Sequence, residues 1–138
     1  MPLVRISLRR GKPAAYRRAV ADGVHRALVD AIGIPPADRF QIITEHEDDN
    51  LIYDRSYFAE RSDNTVFIEV TLRRGRPEPV KRDFYRRIVT YLAENPGLRP
   101  EDAAIVLREN GDDDWSFGKG EAQLVNPDAP PIRTTVAA

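Results

Sequence analysis

The sequence predicts an α+β fold in which a tandem β-α-β repeat forms one four-stranded sheet with two helices on one face. Three observations lead there. The segment ISLRRGKPAA at 6–15 returns as VTLRRGRPEP at 70–79, an offset of 64 residues from Arg10 to Arg74. In both copies an alternating strand runs into the Arg-Arg-Gly-basic-Pro turn. A stripe of apolar residues at helical spacing follows each turn.

The elements follow in order. In LVRISLR at 3–9, Val4, Ile6 and Leu8 alternate with Leu3, Arg5, Ser7 and Arg9, the pattern of a strand with one well-buried face. Gly11 and Pro13 end it. From Pro13 to Ile32, Tyr16, Val20, Val24, Leu28 and Ile32 recur every four residues, which predicts an amphipathic helix closed by Gly33. The prolines of IPPADRF cannot continue that helix, and RFQIITEH reads as the second strand. The second unit repeats the plan. TVFIEVTL at 65–72 is a strand, Gly75 and Pro77 break it, and Phe84, Ile88, Tyr91 and Leu92 mark a helix up to NPG at 95–97. AAIVLRE from Ala103 is the fourth strand. LIYD, in the polar connection between the units, suggests a short edge strand.

The chain therefore divides, within a single domain over 1–138, into a first unit at 1–46, a second at 64–110 and a C-terminal hairpin and tail at 111–138. Within each unit a right-handed crossover makes the two strands parallel. Apolar residues at both parities, as in VFIEV and AAIVL, predict that the second sheet face is buried too, by self-association.

Composition narrows the function. With 138 residues the chain holds one ordinary core, and a net charge of −1 gives no global attraction to nucleic acid or anionic membrane. Anion recognition must be local. There is no cysteine, so disulfides, thiolate metal sites and cysteine nucleophiles are excluded, and His25 and His46 lack the spacing of a zinc pair. Both are expected on exposed surface. No apolar run approaches the roughly 20 residues that span a bilayer, and the N-terminus lacks a signal peptide's apolar block, so a soluble cytoplasmic protein is expected. The acidic string at 112–114 is expected to be a solvated loop, because consecutive carboxylates in a turn point different ways.

Chemistry centres on Pro2. Removal of the initiator methionine before proline leaves a secondary amine at the start of a core strand. Such an amine titrates near pH 8 in model compounds, roughly 7.7–8.0, so nearby charges decide whether it acts as base, nucleophile or cationic acid. With Met1 attached, the nitrogen would be an inert tertiary amide. A proline that merely begins a strand is the plain alternative.

The accompanying residues make the pattern specific. MPL at the start, GIPPADRFQ at 33–41, RGR at 74–76 with the Phe84–Tyr85 pair, and NGDDDWSFGKGEAQ at 110–123 resemble the tautomerase superfamily, and within it malonate semialdehyde decarboxylase and its homologues. The resemblance implies a homotrimer of tautomerase-like subunits that needs no cofactor and no metal. It implies catalytic roles for Pro2 and Asp38, carboxylate binding by Arg74 and Arg76, and a pocket wall from Trp115, Phe117 and Leu124. Leu124 stands where the family usually has an aromatic side chain, which changes the pocket wall. Lys12 departs from the arginine common after the first strand and loses two-pronged pairing.

The activity implied is decarboxylation of a small 3-oxo carboxylate, with hydration of an unsaturated acid as a side activity. Enol-keto tautomerisation of a small 2-oxo acid such as phenylpyruvate is the second reading, and a non-enzymatic trimer binding anionic partners is the third. Each residue also has a structural explanation: Arg74 and Arg76 as solvated turn residues, Asp38 as a turn stabiliser, Trp115 and Phe117 as core or interface residues sharing one strand face. Both basic loops leave the carboxyl ends of strands, where ligands of open sheets sit. The second loop is expected to keep the anion-binding role. Pro2 meets it only if the first strands of the two units lie antiparallel.

Overall fold

Alternation and turn chemistry give the expected elements in the computed structural model, which describes residues 2–125. Met1 and the proline-rich tail from 126 onward lie outside the described residues. The order is β1 (Leu3–Arg9), α1 (Ala14–Ala27), β2 (Gln41–His46), β3 (Val66–Arg73), α2 (Glu78–Glu94) and β4 (Ala103–Asn110). The sheet runs β2-β1-β3-β4, with β1 parallel to β2, β3 parallel to β4, and β1 antiparallel to β3.

The helix predicted to run to Ile32 changes its winding first. Residues Leu28–Ile32 form a wider π-helical turn, closed where Gly33 N–H donates to Leu28 O at 3.0 Å. Gly33 takes a φ of 82°, a left-handed conformation that glycine adopts without a Cβ clash. Two expected strands are missing. LIYD at 51–54 pairs with nothing in the sheet and belongs to an irregular connection. No hairpin follows β4 among the described residues; beyond it come a 3₁₀ turn at Asp112–Asp114 and irregular chain.

One face of the sheet is dry. Val4, Ile6 and Leu8 of β1 and Val66, Ile68, Val70 and Leu72 of β3 bury against Val20, Val24, Phe84, Ile88 and Leu92 of the two helices. Each fully enclosed aliphatic side chain there contributes about 1.5–3 kcal/mol by leaving water. The opposite face is only partly covered: Ile42 and Val106 are 41% and 52% exposed.

The repeat reaches the detail of contacts. Arg9–Asp48 returns as Arg73–Asp112, and Arg17–Glu45 returns as Lys81–Glu109, each ion pair displaced by the same 64 residues. Arg10 N–H donates to His46 O at 2.8 Å, and Arg74 N–H to Asn110 O at 2.9 Å. Arg5 lies opposite Glu69 across β1 and β3, so a local two-fold axis passes through that pair.

Two histidines expected to be exposed are half-buried. His25 Nε2 lies 2.8 Å from Pro36 O, and His46 sits beside Ser7 and Phe67 on the outer sheet face.

Two contacts generate predictions. The helices pack tightly at Gly23, where an added Cβ would lie 2.7 Å from Leu92 Cδ2, inside the core. Gly23→Val should cost about 1–3 kcal/mol in urea unfolding, by overpacking that contact. Buried Asp102 accepts from Ser62 N–H at 2.7 Å, Ser62 O–H at 2.6 Å and Thr65 O–H at 3.1 Å, tying the inter-unit connection to β4. Burial pushes this carboxyl up, but the Ser62 and Thr65 hydrogen bonds outweigh it and hold the group below its usual range. Its stabilisation is therefore present above the unfolded carboxyl value of about 3.9 and lost as pH falls through the lower folded value. Asp102→Asn should be less stable at neutral pH and should flatten the acid limb of a stability-against-pH curve.

Candidate active site

The antiparallel pairing of β1 with β3 brings opposite chain ends together. Leu3, next to Pro2, lies opposite Thr71, so the start of β1 abuts the end of β3 from which Arg74 and Arg76 depart. On the other side β1 runs parallel to β2, and Val4 N–H donates to Phe40 O at 2.9 Å, which brings the Asp38 loop to the same sheet end. Pro2 is buried there.

Asp38 is only 8% exposed. Its local turn arises because Asp38 N–H donates to Pro35 O at 2.9 Å, two prolines having already stopped the helix. Arg76 is half-buried and Nη1 donates to Arg73 O at 2.9 Å, which fixes the side chain back over its own loop. Burial pushes the Arg76 guanidinium down, and Arg73 adds to that, while Glu109 and Asp38 act in the opposite direction. Arg76 therefore feels the field of Asp38 across the two units. Arg74 is exposed, its Nη1 directed towards Gly111.

The wall comes from the segment after β4. Trp115 and Phe117 stack, with ring centroids 5.6 Å apart and planes 9° apart, and Phe40 meets Phe117 at 6.0 Å. They do so from irregular chain, not from the shared strand face expected. Trp115 Nε1 donates to Asn110 Oδ1 at 2.8 Å, and Gln123 accepts from Phe117 N–H at 2.9 Å and donates to Gly118 O at 2.9 Å. Leu3, Phe40, Thr71, Asn110, Trp115 and Phe117 line a cleft of ≈ 450 Å³. Leu124 follows Gln123, is half-buried, and does not line that cleft.

Phe40, Asn110 and Gln123 were missed as site residues. Each lies inside a segment already singled out, GIPPADRFQ or NGDDDWSFGKGEAQ, but polarity and spacing do not reveal an amide that holds an indole. The acidic string resolves into separate tasks: Asp112 pairs with Arg73 at 2.6 Å and Asp114 accepts from Gly111 N–H at 2.7 Å.

A family model described as tautomerase enzyme matches residues 38–118, and a second of the same description matches residues 2–61. The chain belongs to the tautomerase family. Two relatives in Bacillus subtilis, the probable tautomerases YusQ and YrdN, are each 36% identical over 126 residues, covering 91% of this chain and 99% and 97% of theirs. Among solved structures, malonate semialdehyde decarboxylase superposes with a TM-score of 0.81 at 34% identity, over 88% of this chain and 95% of that one. The FG41 malonate semialdehyde decarboxylase inhibited by 3-bromopropiolate gives 0.83 at 40% identity, over 89% and 94%. A fused 4-OT symmetric trimer shares the tautomerase fold at 22% identity, with a TM-score of 0.72 over 86% of this chain and 94% of that one. Among the described residues, no helix is long and apolar enough to cross a membrane.

Trp115 is the chain's single tryptophan, which makes the cleft optically visible. Asn110→Ala should remove the acceptor of its indole N–H, cost about 1 kcal/mol or less in stability, and shift the emission maximum to the red. An unchanged spectrum would mean that the Asn110 contact does not hold the ring.

Proposed function

We propose that this tautomerase-family chain is a cofactor-independent decarboxylase of a small 3-oxo carboxylate resembling malonate semialdehyde, working as a homotrimer. The observation that supports it most is the meeting, at one sheet end, of Pro2, the Asp38–Arg76 couple and the Arg74 loop beside an aromatic cleft. The likeness to two malonate semialdehyde decarboxylases at 34% and 40% identity supports the same reading.

In this mechanism Arg74 and Arg76 grip the substrate carboxylate and the processed amine of Pro2 addresses the carbonyl. The bond between the carboxylate carbon and its neighbour breaks, carbon dioxide leaves, and the electron pair moves towards the carbonyl. Cationic Pro2 stabilises the resulting enolate by hydrogen bonding, or neutral Pro2 condenses with the carbonyl, losing water, to an iminium that receives the electrons as an enamine and is hydrolysed after protonation at carbon. A proton then returns to carbon. Asp38 favours the cation and the arginines favour the neutral amine. Trp115, Phe117 and Phe40 exclude water and strengthen both interactions. Asp38 also orients a water for hydration of an unsaturated acid, an activity named for one of the decarboxylases to which the chain is similar.

Assembly into a trimer, the state named for the fused 4-OT neighbour, would cover Ile42 and Val106 on the outer sheet face. The names of the Bacillus relatives favour a second reading, enol-keto tautomerisation, in which neutral Pro2 shuttles the proton between oxygen and carbon.

The test is a substrate panel on protein whose intact mass confirms loss of Met1. Carbon dioxide release from malonate semialdehyde without ketonisation of phenylenolpyruvate supports decarboxylation; the reverse pattern supports tautomerisation. Pro2→Ala should lower turnover by about 10²-fold or more in either case, whereas an unaffected protein that still binds carboxylates is a binding module only. Arg76→Ala should lower kcat/KM by about 10–150-fold, the worth of one charge-assisted contact. Borohydride trapping of a covalent adduct distinguishes the iminium route from acid catalysis.

A further inference from the structure

The internal symmetry that builds the candidate active site builds a counterpart at the other end of the sheet. We propose that the β1–α1 loop forms a second anion-binding site, for small carboxylates, which holds its ligand without turning it over. The site is a cavity of ≈ 270 Å³ lined by Arg9, Arg10, Lys12, Tyr16, Asn64 and Thr65 among others.

The 64-residue offset pairs its parts with those of the candidate active site. Arg10 corresponds to Arg74, Lys12 to Arg76, and Asp102 to Asp38. The two aspartates are the correspondence that sequence pattern hides: both precede the outer strand of their unit and both are buried, at 0% and 8% exposure. Asp102 influences Tyr16, as Asp38 influences Arg76.

Charge accounting shows which groups face a ligand. Arg9 Nη1 is held by Asp63 at 3.1 Å and Asp48 at 3.7 Å, and Arg10 Nε by Glu47 at 2.6 Å. Arg9 Nε is buried with no hydrogen-bond partner. Lys12 has no carboxylate within ion-pair distance among the described residues, and its ammonium lies 4.9 Å from the centre of the Tyr16 ring. Burial and Asp102 push the Tyr16 phenol up, so it is a neutral hydroxyl and a donor at physiological pH. An ammonium and a hydroxyl donor in a small cavity suit a short carboxylate. Asp48 and Asp63 also line the cavity and are engaged by Arg9 Nη1.

Chemistry is absent for a covalent reason. Val66 occupies the place of Pro2 at the start of the corresponding strand, in mid-chain, so its nitrogen is an amide with no basic lone pair. The proposal leans on the reading of the Arg74–Arg76 loop as a carboxylate clamp, and the experiment separates the two.

Full-length ¹⁵N-labelled protein is titrated with malonate, and in parallel with inorganic phosphate, while the amides of Gly11, Lys12, Tyr16, Asn64 and Thr65 are followed. In wild type and in Arg76→Ala, malonate should shift these amides to saturation. Lys12→Gln should weaken that response about tenfold, as loss of one charge-assisted contact, and Lys12→Arg should restore it. Lys12→Gln should keep its melting temperature and its turnover within about twofold. Shifts confined to the Arg74–Arg76 loop and lost in Arg76→Ala overturn the second site, as does a first-loop response indifferent to Lys12→Gln. Phosphate binding there as tightly as malonate overturns the carboxylate assignment. A first-loop response without any at Arg74–Arg76 supports this site and removes the clamp from the proposed mechanism.

Discussion

The antiparallel contact between β1 and β3 is the constraint on which the other features depend. Each β-α-β unit alone would be a two-stranded parallel ribbon with one helix, too small to enclose a core. Pairing two of them through their first strands makes four strands and lets both helices cover the same face. It also sets direction: the start of one unit's first strand lies beside the end of the other's. Pro2 and a basic loop 72 residues further on thus reach one sheet end, although neither unit contains both.

The local two-fold axis through Arg5 and Glu69 then gives every such meeting a partner at the opposite end. Duplicated ion pairs and loop hydrogen bonds keep the two ends geometrically alike, because each loop is braced by the same contacts to the strand beside it. What separates the ends is the course of the chain beyond each outer strand. After β4 the chain supplies Trp115 and Phe117; after β2 it supplies the connection in which Tyr53 O–H donates to Ser62 O at 2.6 Å and Arg55 pairs with Asp63 at 2.7 Å. Symmetric scaffolding with asymmetric additions thus makes the two ends chemically different.

Electrostatics at the candidate active end balance opposing contributions. An arginine that is to hold an anion must be desolvated enough to bind strongly but remain charged. Burial works against the charge on Arg76, as does Arg73, and Asp38 with Glu109 counters them. Glu109 is itself held low first by Lys81, so it stays ionised as a member of this network. The aromatic cleft opens at the same sheet end.

Much of this was determined by sequence alone. The repeat, the strand alternation and the proline and glycine breaks are local properties, set by backbone sterics and by which side chains repeat every two or four residues, so the four strands, both helices and the two basic loops were legible. Pro2, Asp38, Arg74 and Arg76 were legible as candidates because their motifs are contiguous. The π-helical turn at Leu28–Ile32, the unpaired LIYD segment and the irregular path of Trp115 and Phe117 were not, since each depends on which neighbour is available to accept a hydrogen bond or a ring. Only the tertiary structure decided that Asn110 orients Trp115, that Phe40 completes the wall, and that Asp102 is the buried counterpart of Asp38. Those relations join residues distant in the chain, and the free energy of such contacts comes from burial and dielectric, quantities that exist only once the two units have closed on each other.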